Sequence, residues 1–217
     1  ADDKGVVYGT APIFSYTASG LVKGETIGSV SFATDATVSG SGNYDVGGWT
    51  ITPSSASGGT FKASNYTITY TTGSLAVSQK SLTVSATGVN KSYDGLLTAT
   101  VTLNDDRIAG DVLTASYTGA SFADADVGAG KAVSVSGISI SGADSGNYSL
   151  TSTTASTTAD ITKAALTVDA DDKGVVYGTA PIFSYTATGL QNGETIGSVS
   201  FETDATLRVS GKYDDSS

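Results

Sequence analysis

The chain has 217 residues with 11 Lys+Arg against 21 Asp+Glu, a formal net charge of -10; so acidic a surface repels phosphate backbones and anionic lipid head groups, which excludes nucleic acid and membrane surfaces as expected partners. Histidine, cysteine and methionine are all absent, which excludes disulfides, soft-metal sites and any Ser-His-Asp arrangement, and with no G-x-S-x-G turn no enzyme is expected. Hydrophobic residues make up 39% of the chain and fall in short alternating runs, so a core is expected rather than disorder, with no run long enough to insert into a membrane.

The first stretch, ADDKGVVYGTAPIFSYTASGL, lacks the basic start and apolar centre of a secretion signal, so an internal or mature fragment is expected. Residues 1–37 return as residues 170–206 with four differences: Ser19/Thr188, Val22/Gln191, Lys23/Asn192 and Ala33/Glu202. Next, Tyr66, Ile68 and Tyr70 alternate in NYTITY, and so do Leu75 and Val77, then Leu82, Val84 and Ala86. Each run puts apolar side chains on one face of a strand. In KAVSVSGISISG the phase of Val133 and Val135 is broken before Ile138 and Ile140, so Gly137 marks a bulge or a change of sheet. No window carries a helical stripe, and SG, GG, NG and DG punctuate the runs at short spacing. The fold class expected is all-β, built of Ig-like β-sandwich modules.

A weaker period lies inside the strong one. Residues 77–84 match 161–168, Tyr8, Tyr93 and Tyr177 recur at spacings of 85 and 84, and each is followed by Gly24-Glu25, Gly110-Asp111 or Gly193-Glu194. Asn65-Tyr66 and Asn147-Tyr148 also correspond. Three modules are expected: 1–79, lacking its first strand; 80–163, complete and divergent; and 164–217, truncated. The third is expected not to close, since residues 207–217 diverge from their counterparts. Only four residues separate Val77 from Leu82, so a stiff end-to-end rod of roughly 40 Å per module is expected. The joints are expected to carry few cross-module contacts, with protease cuts near Gln79-Lys80 and Lys163-Ala164. Open strand edges on the terminal modules would allow self-association, and dissimilar neighbours would discourage strand exchange during folding.

The segments VYGTAPIFSYTASGLVKGET and SNYTITYTTGSLAVSQKSLTV resemble the MBG family, and KSYDGLLTATVT with GDVL, SGNYSL and ITKAALTV resembles the YDG family, for which Tyr93-Asp94-Gly95 supplies the motif. Both are repeats of long bacterial surface and secreted adhesins, including filamentous-haemagglutinin-like proteins. The resemblance implies β-sandwich spacer or adhesive modules, an extracellular or bacterial cell-surface location, and no catalytic residues. The function it implies is a stalk that extends a distal binding domain, the neighbouring modules being the partners. The alternative is a carbohydrate-binding module for matrix polysaccharide or cell-surface glycans.

Candidate sites are few. Asp124 and Asp126 precede Gly128, and Asp105 and Asp106 adjoin. As hard oxygen ligands in turns they are calcium candidates, against the plainer reading of turn formers, and otherwise no cofactor is expected. The same pairs are nominal glycosidase carboxylates, but they sit in turn-like segments suited to solvated acids. Trp49, the only tryptophan, is a candidate sugar platform, with a half-buried core residue the competing reading. Asn65, Asn90 and Asn147 open N-glycosylation patterns, although strand entry with Tyr66 and Tyr148 packed inward is preferred. Tyr8, Tyr93 and Tyr177 are read as core caps whose hydroxyls are satisfied at the rim.

Overall fold

The computed structural model describes residues 1–204; the expectation for residues 207–217 falls outside them. Two compact units are present, one of Ala1–Thr87, Val101–Ala120 and Ser134–Thr157, the other of Gly88–Thr100, Ser121–Val133 and the chain from Thr158 onward. This division does not follow the sequence repeat, since the middle module contributes to both.

Strands β1 (Lys4–Val7), β2 (Ile27–Thr34), β3 (Gly47–Gly59) and β4 (Gly73–Ser78) form one sheet in the order β1-β4-β3-β2. β1 lies parallel to β4, with Lys4 opposite Leu75 and Val6 opposite Val77. β3 runs antiparallel to β4, placing Trp49 opposite Leu75, and antiparallel to β2, with a bulge between Ser29 and Ser31. Period-two alternation drives this sheet: Ile51, Leu75 and Val77 are buried while Thr52, Ala76 and Ser78 face water. Phe14 and Tyr16 cover Phe32, with ring centroids 5.8 and 6.4 Å apart.

The middle of the chain supplies β5 (Lys80–Leu82), β6 (Val84–Val89), β7 (Lys91–Ser92), β8 (Thr100–Asp105), β9 (Thr114–Ser116), β10 (Gly119–Phe122), β11 (Gly128–Ser136), β12 (Ser139–Ser141), β13 (Tyr148–Leu150) and β14 (Thr154–Thr162). They form a sheet in the order β10-β11-β14-β7 and the pairs β12-β9, β13-β5 and β6-β8. β7 lies parallel to β14, with Lys91 opposite Ile161, which repeats the β1-β4 pairing one period later. Of the bulge or change of sheet expected at Gly137, the structure has the change of sheet: at φ 65° Gly137 ends β11, and β12 resumes two residues on against β9.

Two departures from the sequence reading are informative. Tyr66, Ile68 and Tyr70 form no strand, and Ile68 and Tyr70 are exposed. Their counterparts from Tyr148 do form β13, but by parallel pairing with β5, of which the first module has no copy. Likewise β15 (Thr167–Ala170) pairs antiparallel with β16 (Tyr185–Thr188), yet residues 173–176, identical to β1, are not a strand. Alternation alone does not hold such a segment extended; a ladder partner must be present. Leu75→Ala should therefore cost about 2–5 kcal/mol, read as a lowered urea midpoint, whereas exposed Ile13→Ala should stay within about 0.5 kcal/mol of wild type.

Candidate functional site

Residues 7–10 make a tight turn at the end of β1, closed by the Thr10 N–H donating to the Val7 carbonyl at 3.0 Å. Gly9 has φ 85°, a conformation that favours glycine, and a Cβ there would meet Ile108 Cδ1 at 2.4 Å. The turn delivers Tyr8 into a buried position, 2% exposed. Its hydroxyl donates to Asp111 Oδ2 at 2.6 Å and lies 2.6 Å from Ser39 Oγ and 3.2 Å from Ser41 Oγ.

Asp111 closes a second turn, its N–H donating to the Ile108 carbonyl at 3.2 Å. Its carboxylate accepts from Tyr148 as well as Tyr8 on Oδ2, and from the Ser41 N–H on Oδ1 at 3.0 Å. The Tyr148 oxygen in turn accepts the Ile108 N–H at 2.9 Å, and the Tyr8 and Tyr148 rings meet edge to face at 5.4 Å. A carboxylate only 7% exposed is tolerable because every direction open to it holds a donor.

The rest of the junction follows the same rule. Asp144 accepts the Val112 N–H at 2.7 Å and the Gly40 N–H at 3.4 Å; Asn147 accepts the Val46 N–H at 2.8 Å and donates to Asp45 at 2.9 Å. Gln79, the single residue between β4 and β5, donates to the carbonyls of Gly146 and Tyr148, each at 3.0 Å. A Cβ on Gly40 would meet the Gly110 carbonyl at 2.5 Å. The expectation of a joint with few cross-module contacts is wrong here: residues 8, 40, 41, 45, 46 and 79 bond directly to residues 111–148.

The same contact recurs one period on. The Tyr93 N–H donates to the Thr162 carbonyl at 2.8 Å, as the Tyr8 N–H does to Ser78 at 2.8 Å. The Tyr93 hydroxyl donates to Glu194 Oε1 at 2.5 Å, and the Asn192 amide donates to the Gly95 carbonyl at 3.1 Å. Glu194 ends a turn with Asn192 at φ 47° and Gly193 at φ 78°. The first module carries the receiving half: Tyr66 donates to Glu25 and accepts the Val22 N–H at 3.3 Å, the geometry of Tyr148, Asp111 and Ile108. Both periodic features, the tyrosines and the Gly-acid pairs, are visible in the sequence, but the tyrosines, expected as caps of their own modules, reach into the next. The equal periods of tyrosine and acid were the available signal that each tyrosine meets the next module's acid.

The other candidates are placed as follows. Asp105 is paired with Arg107, Nη2 to Oδ2 at 2.5 Å, and Asp106 accepts the Thr83 N–H at 2.8 Å. Asp124 is paired with Lys131 and accepts the Asp126 N–H at 2.9 Å. No three acids come together as a metal cluster among the described residues. Trp49 is half-buried, its indole N–H donating to the Asp45 carbonyl at 2.8 Å, and so steadies the loop that reaches Asn147. Asn147 is buried, which leaves no room for a glycan, and Asn90 accepts the Asp160 N–H at 2.7 Å.

Burial pushes the Asp111 carboxyl up, but the hydrogen bonds from Ser41, Tyr148 and Tyr8 outweigh it and hold it below the usual carboxylate value. Burial, then the bond to Asp111, pushes Tyr8 and Tyr148 up. The Asp111 contribution to stability is therefore whole above about pH 4 and is lost as pH falls through its own lower value. That of the tyrosines is whole below about pH 10 and is lost as pH rises through their higher values. Urea midpoints against pH should show a plateau between these limits, with the acid limb flattened in Asp111→Asn. Tyr8→Phe should cost about 1.5–3 kcal/mol at neutral pH. Because Asp105 and Asp124 already hold cations, melting in millimolar calcium should match melting in chelator; a rise of several degrees would assign a site to them.

Family models account for most of the chain: residues 1–76 and 166–214 match the MBG domain (YGX type), and residues 78–158 match the YDG domain. No curated protein and no solved structure matches the chain.

Proposed function

The chain belongs to the MBG domain family, with a YDG domain set between its two MBG segments, and from that premise we propose that it is a structural repeat segment of a large bacterial extracellular adhesin. In this reading it is a stalk that carries a distal binding domain away from the cell surface. The observation that supports it is the recurring junction, in which the tyrosine turn of one module seats on the Gly-acid turn of the next. Side-chain bonding across a joint, buried at Tyr8 and exposed at Tyr93, resists bending where a bare linker would not. The parallel pairing of an early strand with the last strand of each module, β1 with β4 and β7 with β14, ties distant parts of the module together, so tension along the chain loads ladder hydrogen bonds.

Polysaccharide binding is less well supported. A cleft of about 230 Å³ is lined by Tyr16, Phe61, Tyr66 and Tyr70 among others. The tyrosine hydroxyls there are engaged with the Ile27 carbonyl, Glu25 and the Ala56 N–H, and the Trp49 indole N–H is likewise engaged. Stretching single chains between handles should give discrete unfolding peaks, the complete module of about 84 residues, 80–163, releasing about 28–30 nm. Featureless low-force extension would refute the stalk, and saturable binding on a glycan array would favour the alternative.

A further inference from the structure

Residues 170–206 copy residues 1–37 almost without change, yet the two copies of one side chain differ in burial. Tyr8 is 2% exposed and Tyr177 is 56% exposed. The turn itself is the same: the Thr179 N–H donates to the Val176 carbonyl at 2.9 Å and Gly178 has φ 86°, against 3.0 Å and 85° in the first copy. What differs is the cover. Tyr8 is roofed by Asp111 and Tyr148, whereas no hydrogen bond to the Tyr177 hydroxyl occurs among the described residues.

A matching receiver is also present. Glu25 holds the bond from Tyr66 that Asp111 holds from Tyr148, and Val22, at the position of Ile108 against which Gly9 seats, is exposed. The bonds that Asp111 receives from Tyr8 and from the Ser41 N–H have no equivalent at Glu25 among the described residues. The chain thus carries a donor turn and an acceptor turn of one design, both preformed and both uncovered.

We propose that the Tyr177 turn of one copy docks on the Glu25 and Tyr66 face of a second copy, the Tyr177 hydroxyl donating to Glu25 as Tyr8 does to Asp111. The contact is heterologous: the Tyr177 turn of one copy meets the Glu25 and Tyr66 face of another, so association runs head to tail. Within the chain the partners are held at high effective concentration; between copies that advantage is absent, so the association is weak and grows with concentration. The chemistry committed to is a second copy of this chain. Association through a bare strand edge is the competing outcome.

Sedimentation velocity over a concentration series up to the millimolar range tests it. Wild type should show a mean mass rising with concentration beyond the dimer. Tyr177→Phe changes an exposed side chain and should weaken association at least tenfold without altering the far-ultraviolet spectrum. Glu25→Ala should do the same, and Glu25→Gln, which keeps an acceptor for Tyr66, provides the comparison should the alanine variant unfold. Mixing Tyr177→Phe with a folded Glu25 variant restores one good donor and one good acceptor, so heterodimers should form and stop there. Wild type that stays monomeric throughout, or association equal in the variants, would overturn the proposal. Either failure would leave the stalk reading standing, because the Tyr8 and Tyr93 junctions do not depend on it.

Discussion

A carboxylate taken out of water must be surrounded by donors or it destabilises the fold that holds it, and Asp111 is surrounded only when two modules are present together. Tyr148 and the Ile108 turn come from its own module; Tyr8 and the Ser41 N–H come from the one before. No side-chain nitrogen or oxygen among the described residues is left buried without a partner. Removal of the first module would therefore leave Asp111 only part of its donor set, and the glycines at positions 9 and 40, where a Cβ would collide with Ile108 and Gly110, allow the close approach that shuts water out. The stability of one module in this way includes a contribution from its neighbour, as expected of repeat proteins whose stability includes a nearest-neighbour interface.

The near-identical copies show how far local sequence goes. Asp2 bonds Ser15 and Thr17 in the first copy, Asp171 bonds Ser184 and Thr186 in the other, and Phe183 sits 5.6 Å from Phe201 as Phe14 does from Phe32. These contacts lie within the copied segment, so the copy carries them. β1 has no such autonomy. Its ladder partner is β4, some seventy residues on, and the twin of β1 without that partner is not a strand. Exposure of Tyr177 has the same origin, since the residues that bury Tyr8 lie about a hundred positions away.

That distinction also explains which features were legible in the sequence. Leu75, Val77, Leu82, Val84, Val133 and Val135 are buried as their alternation requires, because burial of one face is a local property of a strand. Gly137 was legible as an interruption because a break of phase beside a glycine cannot be carried by one regular strand, although a bulge and a change of sheet leave the same trace. Tyr66, Ile68 and Tyr70 alternate just as well and are no strand, because nothing in a period-two pattern says whether a ladder partner exists. Asp144 and Asn147 were the hardest to read: Asp144 belongs to no motif, the patterns that hold Asn147 do not point to its partners, and those partners, like Gly40 for Asp144, bond largely through the backbone, which has no signature in sequence.

The alternation of module types has a physical basis in the groups that border each tyrosine. Around Tyr8 they are Ser39 and Ser41, neutral hydroxyls compatible with the two acids, Asp111 and Asp144, that the following module brings to the junction. Around Tyr93 they are Asp94 and Asp126; the hydrogen bond to Glu194 pushes the tyrosine up, then burial, with the charges of Glu194, Asp126 and Asp94 adding to it. A module bringing both Asp111 and Asp144 to that place would set four carboxylates round one hydroxyl, and like charges brought together without intervening donors disfavour the contact. The MBG-type segment at residues 189–195 brings Glu194 with the neutral Gln191 and Asn192, and the Asn192 amide answers the Gly95 carbonyl. Serine beside one tyrosine and aspartate beside the next therefore sets the same hydroxyl in two different electrostatic surroundings, neutral hydroxyls flanking Tyr8 and carboxylates flanking Tyr93.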